Sequence, residues 1–383
     1  MIVAILKEIT PGEHRVSAIP ATIKNMIKNG MTVKVEAGAG KGSHISDNDY
    51  KDAGAEIVSD RTSLLADADL VLKVAPAMDE EINLFRNGST YVSLFQTTKH
   101  LEQVKKLSEK NISAFSMHNL PRTTLAQSMD ALSSQSNISG YKAVLMGASH
   151  LSVYMPLLMT AAGTIPPAKV LILGAGVAGL QAIATAKRLG ARVESFDVRP
   201  EVKEQVESLG AKFIEVDSGE DDGVGEGGYA KETTEDYQKR QQALIKEHIA
   251  KSDMVVTTAL IPGKPAPILI PKHMVDVMKS GAVIMDLAAE NGGNCELTTP
   301  GKVIDYKGVI IDGTLNLPST MPVHASQLYA KNIISFINHL CPEGEINMDL
   351  DDEIISGALF THNSEITHEP TKEALETIPK PNA

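Results

Sequence analysis

The chain has 383 residues, of which 43% are hydrophobic, and this length predicts two domains with sizeable cores rather than one. The formal net charge of −12 argues against nucleic-acid binding and against electrostatic attachment to anionic lipid. The two cysteines, Cys295 and Cys341, have no ligand-like spacing, which indicates a reducing compartment and no structural zinc or other metal site.

The first residues predict a β-strand rather than a targeting segment. Residues 2–6 are apolar and charge follows at once, whereas a secretory signal needs a basic start and a longer apolar core. No apolar run reaches the roughly 20 residues that span a bilayer. The longest candidate, residues 143–162, is interrupted by His150, Ser152 and Pro156, so it predicts a buried interdomain helix.

Strand and helix patterns alternate through the N-terminal part, which favours an α/β domain with a parallel sheet. Helices are predicted at residues 21–29 and 101–110, the first of them punctuated by Pro20 and Gly30. Strands are predicted at residues 2–6, 32–36, 70–73, 91–95 and 112–115. This part is therefore expected to form a doubly wound sheet that lacks a Gly-x-Gly-x-x-Gly turn.

A polar segment, residues 121–137, follows at the predicted domain junction, where clefts usually form. Its hydrogen-bonding side chains include the candidates for a polar pocket: Arg122, Gln127, Asp130 and Ser133. The alternative is a capped helix start, because Ser, Asp and Asn favour such positions. The residues alone leave both interpretations open.

Residues 170–180 are the most informative stretch, because they predict a buried strand, a glycine turn and the first turn of a helix. In such a turn Gly174 permits the tight bend, Gly176 lets the backbone approach a pyrophosphate, and Gly179 allows close helix–strand packing. The helix N-terminus offers free N–H groups and partial positive charge to the phosphates. The candidate dinucleotide-binding residues here are Gly174, Ala175, Gly176, Val177, Ala178 and Gly179.

An acid, Asp197, ends the next predicted strand at close to the roughly 20-residue spacing of a ribose-binding carboxylate. It would accept hydrogen bonds from ribose hydroxyls and repel a 2′-phosphate, which predicts a preference for NAD(H) over NADP(H). Arg199 works against that preference, since a nearby arginine accommodates a 2′-phosphate. Val198 completes this candidate set. The alternative is an ordinary βαβ unit without a ligand.

The remaining pattern completes a second sheet and returns the chain to the first domain. Strands are predicted at residues 169–173, 192–196, 212–215, 254–257, 283–286 and 309–312, and a helix at 326–340. We therefore expect two Rossmann-like, doubly wound parallel-sheet α/β domains with a cleft between them. The first comprises residues 1–135 and 325–383, and the NAD(H)-binding domain comprises residues 136–324.

Residues 218–229 are rich in glycine and acids and predict a mobile loop after the third strand of the nucleotide-binding domain. A solvated linker is the alternative from composition alone. Loops that follow the carboxyl ends of parallel strands face the ligand crevice, so Tyr229 is a candidate lid side chain.

Several segments resemble known families. Residues 7–16 are similar to the opening of alanine dehydrogenases and proton-translocating transhydrogenases. The soluble NAD(H)-binding component of the transhydrogenases is resembled by residues 121–137, 159–164, 181–190, 227–232 and 257–267. This resemblance covers nearly the whole chain. It implies a homodimer with NAD(H), an NADP(H)-binding partner subunit, and a separate membrane-spanning proton-channel subunit.

The resemblance also implies site roles and a location. Arg122 and Ser133 would lie near the carboxamide and pyrophosphate side of NAD(H), Gln127 between the two nucleotides, and Asp130 would order the loop. Tyr229 would close over the site. Further nucleotide-binding residues would be Gly228, Thr258, Ala259 and Leu260. The chain would be cytoplasmic and peripheral on the inner face of the membrane, and its length resembles a split subunit or an equally short piece of a longer one.

Chemistry separates the two resembled families. Arg15 and Lys73 align with the substrate-carboxylate ligands of alanine dehydrogenases, where they are either ligands or structural ion pairs. Gln96 stands near the catalytic histidine, and a glutamine amide cannot act as a general acid or base. Glu290 aligns with the catalytic aspartate, and His100 replaces the histidine only after a register shift.

Direct hydride transfer between two nicotinamides needs no general base; it needs orientation and exclusion of water. The sequence therefore favours a transhydrogenase component. The alternatives are an alanine-type, NAD-dependent amino-acid dehydrogenase and an NAD(H)-sensing binding module without catalysis.

Overall fold

A computed structural model of the chain describes residues 1–216, 235–261 and 264–377. These residues form two compact units. The first unit comprises Met1–Gln135 and the described residues from Pro318 onward, and the second comprises the described residues of Ser136–Leu317. The predicted mobile loop, with Gly228 and Tyr229, lies outside the described residues.

The strands are short and distributed over the whole chain. In chain order they are β1 Ile2–Ile5, β2 Thr32–Glu36, β3 Glu56–Val58, β4 Leu70–Leu72, β5 Thr90–Ser93, β6 Ser113–Ser116, β7 Leu158–Thr160, β8 Gly163–Ile165, β9 Lys169–Leu173, β10 Arg192–Phe196, β11 Lys212–Phe213, β12 Met254–Thr257, β13 Val283–Asp286, β14 Val303–Tyr306, β15 Val309–Asp312, β16 Leu359–His362 and β17 Glu365–Ile366.

Helices fall between most of these strands. In chain order they are α1 Pro20–Lys28, α2 Asp47–Asp52, α3 Arg61–Asp67, α4 Asp79–Leu84, α5 Leu101–Glu109, α6 Ala131–His150, α7 Val177–Arg188, α8 Lys203–Ser208, α9 Glu235–Lys251, α10 Lys272–Val275, α11 Pro322–Leu340, α12 Glu353–Ala358 and α13 Glu369–Glu376. None of the helices in the described ranges is both long and apolar enough to cross a membrane.

The first unit is built on a sheet with the order β17-β16-β6-β5-β4-β1-β2-β3 in the described chain. The strands from β6 to β3 pair in parallel, whereas β16 pairs antiparallel with β6. Counted from β1, the parallel part has the order 3-2-1-4-5-6, which is the doubly wound arrangement of a Rossmann fold. The strand order reverses between β1 and β4.

The second unit repeats this arrangement in the order β11-β10-β9-β12-β13-β15-β14. The strands from β11 to β15 are parallel, and only the edge strand β14 runs antiparallel among the described strands of this sheet. Its central strand β9 is buried from Val170 to Leu173, as expected of a parallel strand covered on both faces. The prediction of two doubly wound, mainly parallel sheets is confirmed.

The predicted single helix over residues 143–162 is wrong. Helix α6 ends at His150, and the strands β7 and β8 form an antiparallel hairpin beyond it. Pro156 lacks the N–H that would continue the helix, so the chain leaves the helical path before it. The segment is also not buried, since Met159 is 72% exposed and Leu157 is 54% exposed.

Candidate nucleotide-binding site

The glycine turn follows β9, at the point where the strand order of the second sheet reverses between β9 and β12. Ligands of doubly wound sheets bind in the crevice outside the carboxyl ends of the strands at such a point. Gly174 has φ +101°, a left-handed conformation that favours glycine. The predicted turn therefore forms at the position where the fold brings ligands to the sheet.

The other two glycines of the motif have different surroundings. A Cβ on Gly179 would lie 1.9 Å from the carbonyl oxygen of Gly174, so the helix packs directly on the turn. A Cβ on Gly176 would have Arg199 Nη2 as its nearest neighbour among the described residues, 4.0 Å away. Gly176 is also the N-cap of α7, and no side chain of the described residues caps this helix start. The space and the free N–H groups fit a pyrophosphate.

The segment after β12 lies against the same turn. Thr258 Oγ1 donates to the carbonyl of Gly174 at 3.1 Å, and the Thr258 N–H donates to the carbonyl of Leu173 at 2.9 Å. Ala259 is half-buried and Leu260 is exposed. These contacts join the two loops that flank the reversal point, so Thr258 and Ala259 border the predicted dinucleotide position.

Asp197 follows β10 and is tied to the turn. Its Oδ2 accepts from the Ala175 N–H at 2.7 Å, and the Arg199 side chain donates to Oδ1 and Oδ2, each at 3.0 Å. The Arg199 N–H donates to Oδ1 at 2.9 Å. A carboxylate has about four acceptor positions, and all of them are engaged here. Ribose hydroxyls would therefore have to displace bonds from Arg199, while the neighbouring Val198 is half-buried and packs against the core of the second unit.

Replacing Asp197 with alanine is expected to weaken NADH binding by about tenfold or more and to reduce the preference for NADH over NADPH, because charge-assisted hydrogen bonds are lost. Titration with each nucleotide, followed by its fluorescence, measures both effects. Arg199→Ala is the matched control, since it frees acceptor positions on Asp197 and should not weaken NADH binding. An unchanged nucleotide preference in Asp197→Ala would show that the acid does not contact the ribose.

The polar segment of the first unit combines a helix cap with an outward-facing turn. Asp130 precedes α6; its carboxylate accepts from the Ser133 N–H at 2.8 Å and from Ser133 Oγ at 2.5 Å. Ala126 and Met129 are buried in the core, whereas Arg122 and Gln127 are exposed. Asp130 and Ser133 therefore form the capped helix start, and the turn between them and Arg122 presents the other two side chains outward.

Arg15 and Lys73 both form buried ion pairs in the first unit. Lys73 Nζ contacts both carboxylate oxygens of Glu81, at 2.7 and 2.8 Å, and lies 3.3 Å from Glu8 Oε2. Arg15 donates to Glu13 Oε1 at 2.8 Å and to Oε2 at 2.6 Å. Of the two interpretations of these cations, structural ion pairs agree with these contacts.

Burial raises the pKa of Glu8 to about 7, although the Lys73 ammonium acts to lower it. Oε1 of Glu8 accepts from the Val74 N–H at 2.6 Å, and no hydrogen bond from a described residue reaches Oε2. The folded state therefore holds a proton that the unfolded state, with a pKa near 4.5, has already lost. Stability contributed by the neutral form declines as the pH rises from the unfolded value towards 7.

Glu8→Gln should remove this pH dependence, because the amide keeps the acceptor for Val74 and never ionises. The free energy of unfolding of the wild type, relative to Glu8→Gln, is expected to fall by on the order of 2 kcal/mol between about pH 5 and pH 8. Urea unfolding of both proteins across this range measures the difference. Glu80→Gln, at an exposed acid, is the control and should follow the wild type; parallel curves for wild type and Glu8→Gln would contradict the prediction.

The other positions aligned with alanine dehydrogenase are less enclosed. Gln96 is half-buried in the turn after β5, and its carbonyl accepts from the Lys99 N–H at 3.0 Å. His100 packs against the ring of Phe95, and burial lowers its pKa. Glu290 is exposed, and its Oε1 accepts from the Asn316 N–H at 2.7 Å.

Two residues without a role assigned from the sequence shape the second unit near the site. A Cβ on Gly140 would lie 2.0 Å from the Ala178 carbonyl, so α6 crosses closely over the start of α7. Asp286 ends β13 and is buried; its oxygens accept from Thr257 Oγ1 at 3.0 Å and from Thr298 Oγ1 at 2.6 Å. A glycine within a helical pattern and an acid at a strand end were the available signals.

The candidate residues thus fall into two groups, each assembled within one unit. Arg122, Gln127, Asp130 and Ser133 share one segment of the first unit. The glycine turn, Asp197, Arg199 and the segment after β12 meet in the second unit.

Comparisons with known proteins agree with this architecture. The family model "Alanine dehydrogenase/PNT, N-terminal domain" matches residues 4–139, and "Alanine dehydrogenase/PNT, C-terminal domain" matches residues 143–369. The chain is 47% identical to an NAD(P) transhydrogenase alpha subunit of Rhodospirillum rubrum, over 96% of this chain and 98% of that protein. It is 30% identical to an alanine dehydrogenase of Staphylococcus saprophyticus, over 98% and 97% of the two chains.

A solved structure gives the same result. The crystal structure of transhydrogenase from Sinorhizobium meliloti superposes with a TM-score of 0.84 at 42% identity, covering 96% of this chain and 99% of that chain. The resemblance inferred from the sequence is confirmed. The chain belongs to the alanine dehydrogenase/PNT family and carries both its N-terminal and its C-terminal domain.

Proposed function

We propose that this chain is the NAD(H)-binding component of a proton-translocating transhydrogenase. Hydride passes directly between NAD(H) on this chain and NADP(H) on a partner subunit, and a separate membrane-spanning subunit carries the proton translocation. The glycine turn supports the nucleotide, and the full-length similarity to a transhydrogenase alpha subunit favours this reaction over the one in the more distant alanine dehydrogenases.

The second unit would hold the nucleotide. Free N–H groups at the start of α7 bind the pyrophosphate, over the open space at Gly176, and Asp197 binds the ribose after Arg199 gives up bonds to it. Thr258, Ala259 and Leu260 border the same position. When bound, the nicotinamide supplies the hydride chemistry, so these residues only bind and orient.

The first unit would supply orientation and contact with the second nucleotide. Arg122 and Gln127 are exposed on a turn that is anchored by buried Ala126 and Met129, and the amide of Asn332 donates to the Ser128 carbonyl at 2.9 Å. A turn fixed in this way can hold an amide and a guanidinium in a set direction without closing over them. We assign Gln127 to the position between the nucleotides and Asp130 with Ser133 to ordering the turn; Tyr229 remains the proposed lid.

Buried ion pairs weigh against an amino-acid substrate. Glu81 engages the Lys73 ammonium with two oxygens, and Glu13 engages the Arg15 guanidinium in the same way. Lys73 is fully buried and Arg15 nearly so, which leaves little access for a substrate carboxylate. Gln96 supplies no proton-transfer group for imine chemistry.

A second copy of this chain is the proposed occupant of the exposed hairpin. The segment around β7 and β8 carries exposed Val153, Tyr154, Leu157, Met159 and Ile165, and contiguous exposed apolar side chains mark interaction sites. The homodimer would attach to the inner face of the cytoplasmic membrane through its partner subunits.

The reaction is tested by mixing the purified chain with an NADP(H)-binding transhydrogenase component, NADPH and an NAD analogue whose reduced form has a distinct absorbance. We expect reduction of the analogue in the mixture and none with either protein alone. Formation of NADH from L-alanine and NAD by the chain alone would establish the amino-acid dehydrogenase instead. NADH-dependent binding to the partner without any reduction would establish a sensing module.

A further inference from the structure

Asn294 is a buried asparagine whose side chain is committed to one segment. Its Oδ1 accepts from the Ala259 N–H at 3.0 Å, and its Nδ2 donates to the carbonyls of Ala259 at 2.9 Å and Pro267 at 2.8 Å. The residue is fully buried. Both amide hydrogens are therefore used, and both hold the chain that follows β12.

The segment held by Asn294 borders the glycine turn. Ala259 directly follows Thr258, whose hydroxyl donates to the Gly174 carbonyl at 3.1 Å. That carbonyl is the atom against which Gly179 packs. A displacement of Ala259 would therefore be transmitted through Thr258 to the turn.

Asn294 is itself fixed from behind by Asp286. The Asp286 Oδ2 accepts from the N–H groups of Asn294 at 2.8 Å and of Cys295 at 3.0 Å. The Asn294 carbonyl accepts from the N–H of Leu269 at 2.8 Å and of Ile270 at 2.9 Å. The amide is thus anchored to the end of β13 and aimed at the segment after β12.

We propose that Asn294 is a positioning residue for nucleotide binding, which acts by fixing the Thr258–Ala259 backbone beside the glycine turn. The proposal rests on the proposed NAD(H) site. An asparagine suits this role because it accepts from one N–H and donates to two carbonyls at once, and a carboxylate of the same shape cannot donate.

The test compares Asn294→Ala and Asn294→Asp with the wild type in titrations with NADH. Asn294→Ala is expected to weaken binding by about tenfold to a hundredfold, because buried backbone groups lose their partners. Asn294→Asp should bind weakly at high pH, where an ionised side chain faces two carbonyls and the Asp286 carboxylate. Affinity should return as the pH falls and the acid becomes a donor, while the wild type changes little.

The matched control is Asn29→Asp in the first unit, where the half-buried amide donates to Asn338 Oδ1 at 2.9 Å. It should bind NADH like the wild type at every pH. A purely structural role for Asn294 would lower thermal stability without a pH-dependent recovery of NADH affinity, and this outcome would overturn the proposal.

A second variant decides the question if the Asn294 variants do not fold. Thr258→Val removes the hydroxyl bond to Gly174 and keeps the side-chain shape, so it should fold and weaken NADH binding several-fold. Unchanged binding in Thr258→Val would overturn the proposed link. If the wild type itself does not bind NADH, the proposed function fails; if it binds and the variants bind equally well, only the positioning role fails.

Discussion

Gly179→Ala is expected to destabilise the second unit by about 3 kcal/mol and to abolish measurable NADH binding. The new methyl carbon would lie 1.9 Å from the Gly174 carbonyl oxygen, and that atom belongs to the backbone, which cannot rotate away as a flexible side chain would. The helix or the turn must shift instead, which moves the N–H groups that the pyrophosphate needs. Urea unfolding and NADH titration measure the two losses.

Gly176→Ala is the matched control for this effect. Its methyl group would have Arg199 Nη2 as its nearest described neighbour, at 4.0 Å, so folding should be close to that of the wild type. NADH binding should still weaken by about tenfold or more, because the methyl occupies the space through which the pyrophosphate approaches. A Gly176→Ala protein that binds NADH normally would show that the ligand does not lie over this glycine.

Lys73→Met is expected to destabilise the first unit by about 3–5 kcal/mol, because it leaves Glu81 buried without its cation. The ammonium contacts both oxygens of Glu81 and is fully buried. The side chains have similar lengths, so lost charge rather than lost volume dominates the effect. Chemical unfolding followed by circular dichroism measures it.

Two further variants separate charge from packing in that cluster. Lys34→Met breaks the ion pair with Asp67, whose carboxylate is largely exposed, and should cost no more than about 1 kcal/mol. The double variant Lys73→Met, Glu81→Gln should recover part of the loss, since the uncompensated charge is gone. A loss in Lys73→Met as small as that in Lys34→Met would contradict a structural role for the buried pair.

Sequence patterns predicted the central strands well and the sheet edges poorly. The predicted bounds of β9, β12 and β13 match those observed, because each is a continuous buried run in the middle of a parallel sheet. The edge strands β14 and β17 were not predicted. An edge strand such as β17 has two residues and gains its pairing from β16, so its own pattern carries little signal.

The site shows the same limit. The glycine turn and Asp197 could be located because their spacing is local and has a known mechanism. The engagement of Asp197 by Arg199 depends on side-chain conformations, and the contact of Asn294 with Ala259 joins positions 35 residues apart. Neither has a sequence pattern of its own, because both arise when loops from different strands meet at one edge of the sheet.

Direct hydride transfer between two nicotinamides is tested most directly with an isotopic label. NADPH that carries deuterium at both C4 positions is supplied with the NADP(H)-binding component, and NAD is supplied with this chain in ordinary water. Direct transfer predicts that each NADH formed contains one deuterium at C4 and that none is lost to the solvent. NADH without deuterium would contradict it, because the hydrogen would then have passed through an exchanging group instead of moving directly between the rings.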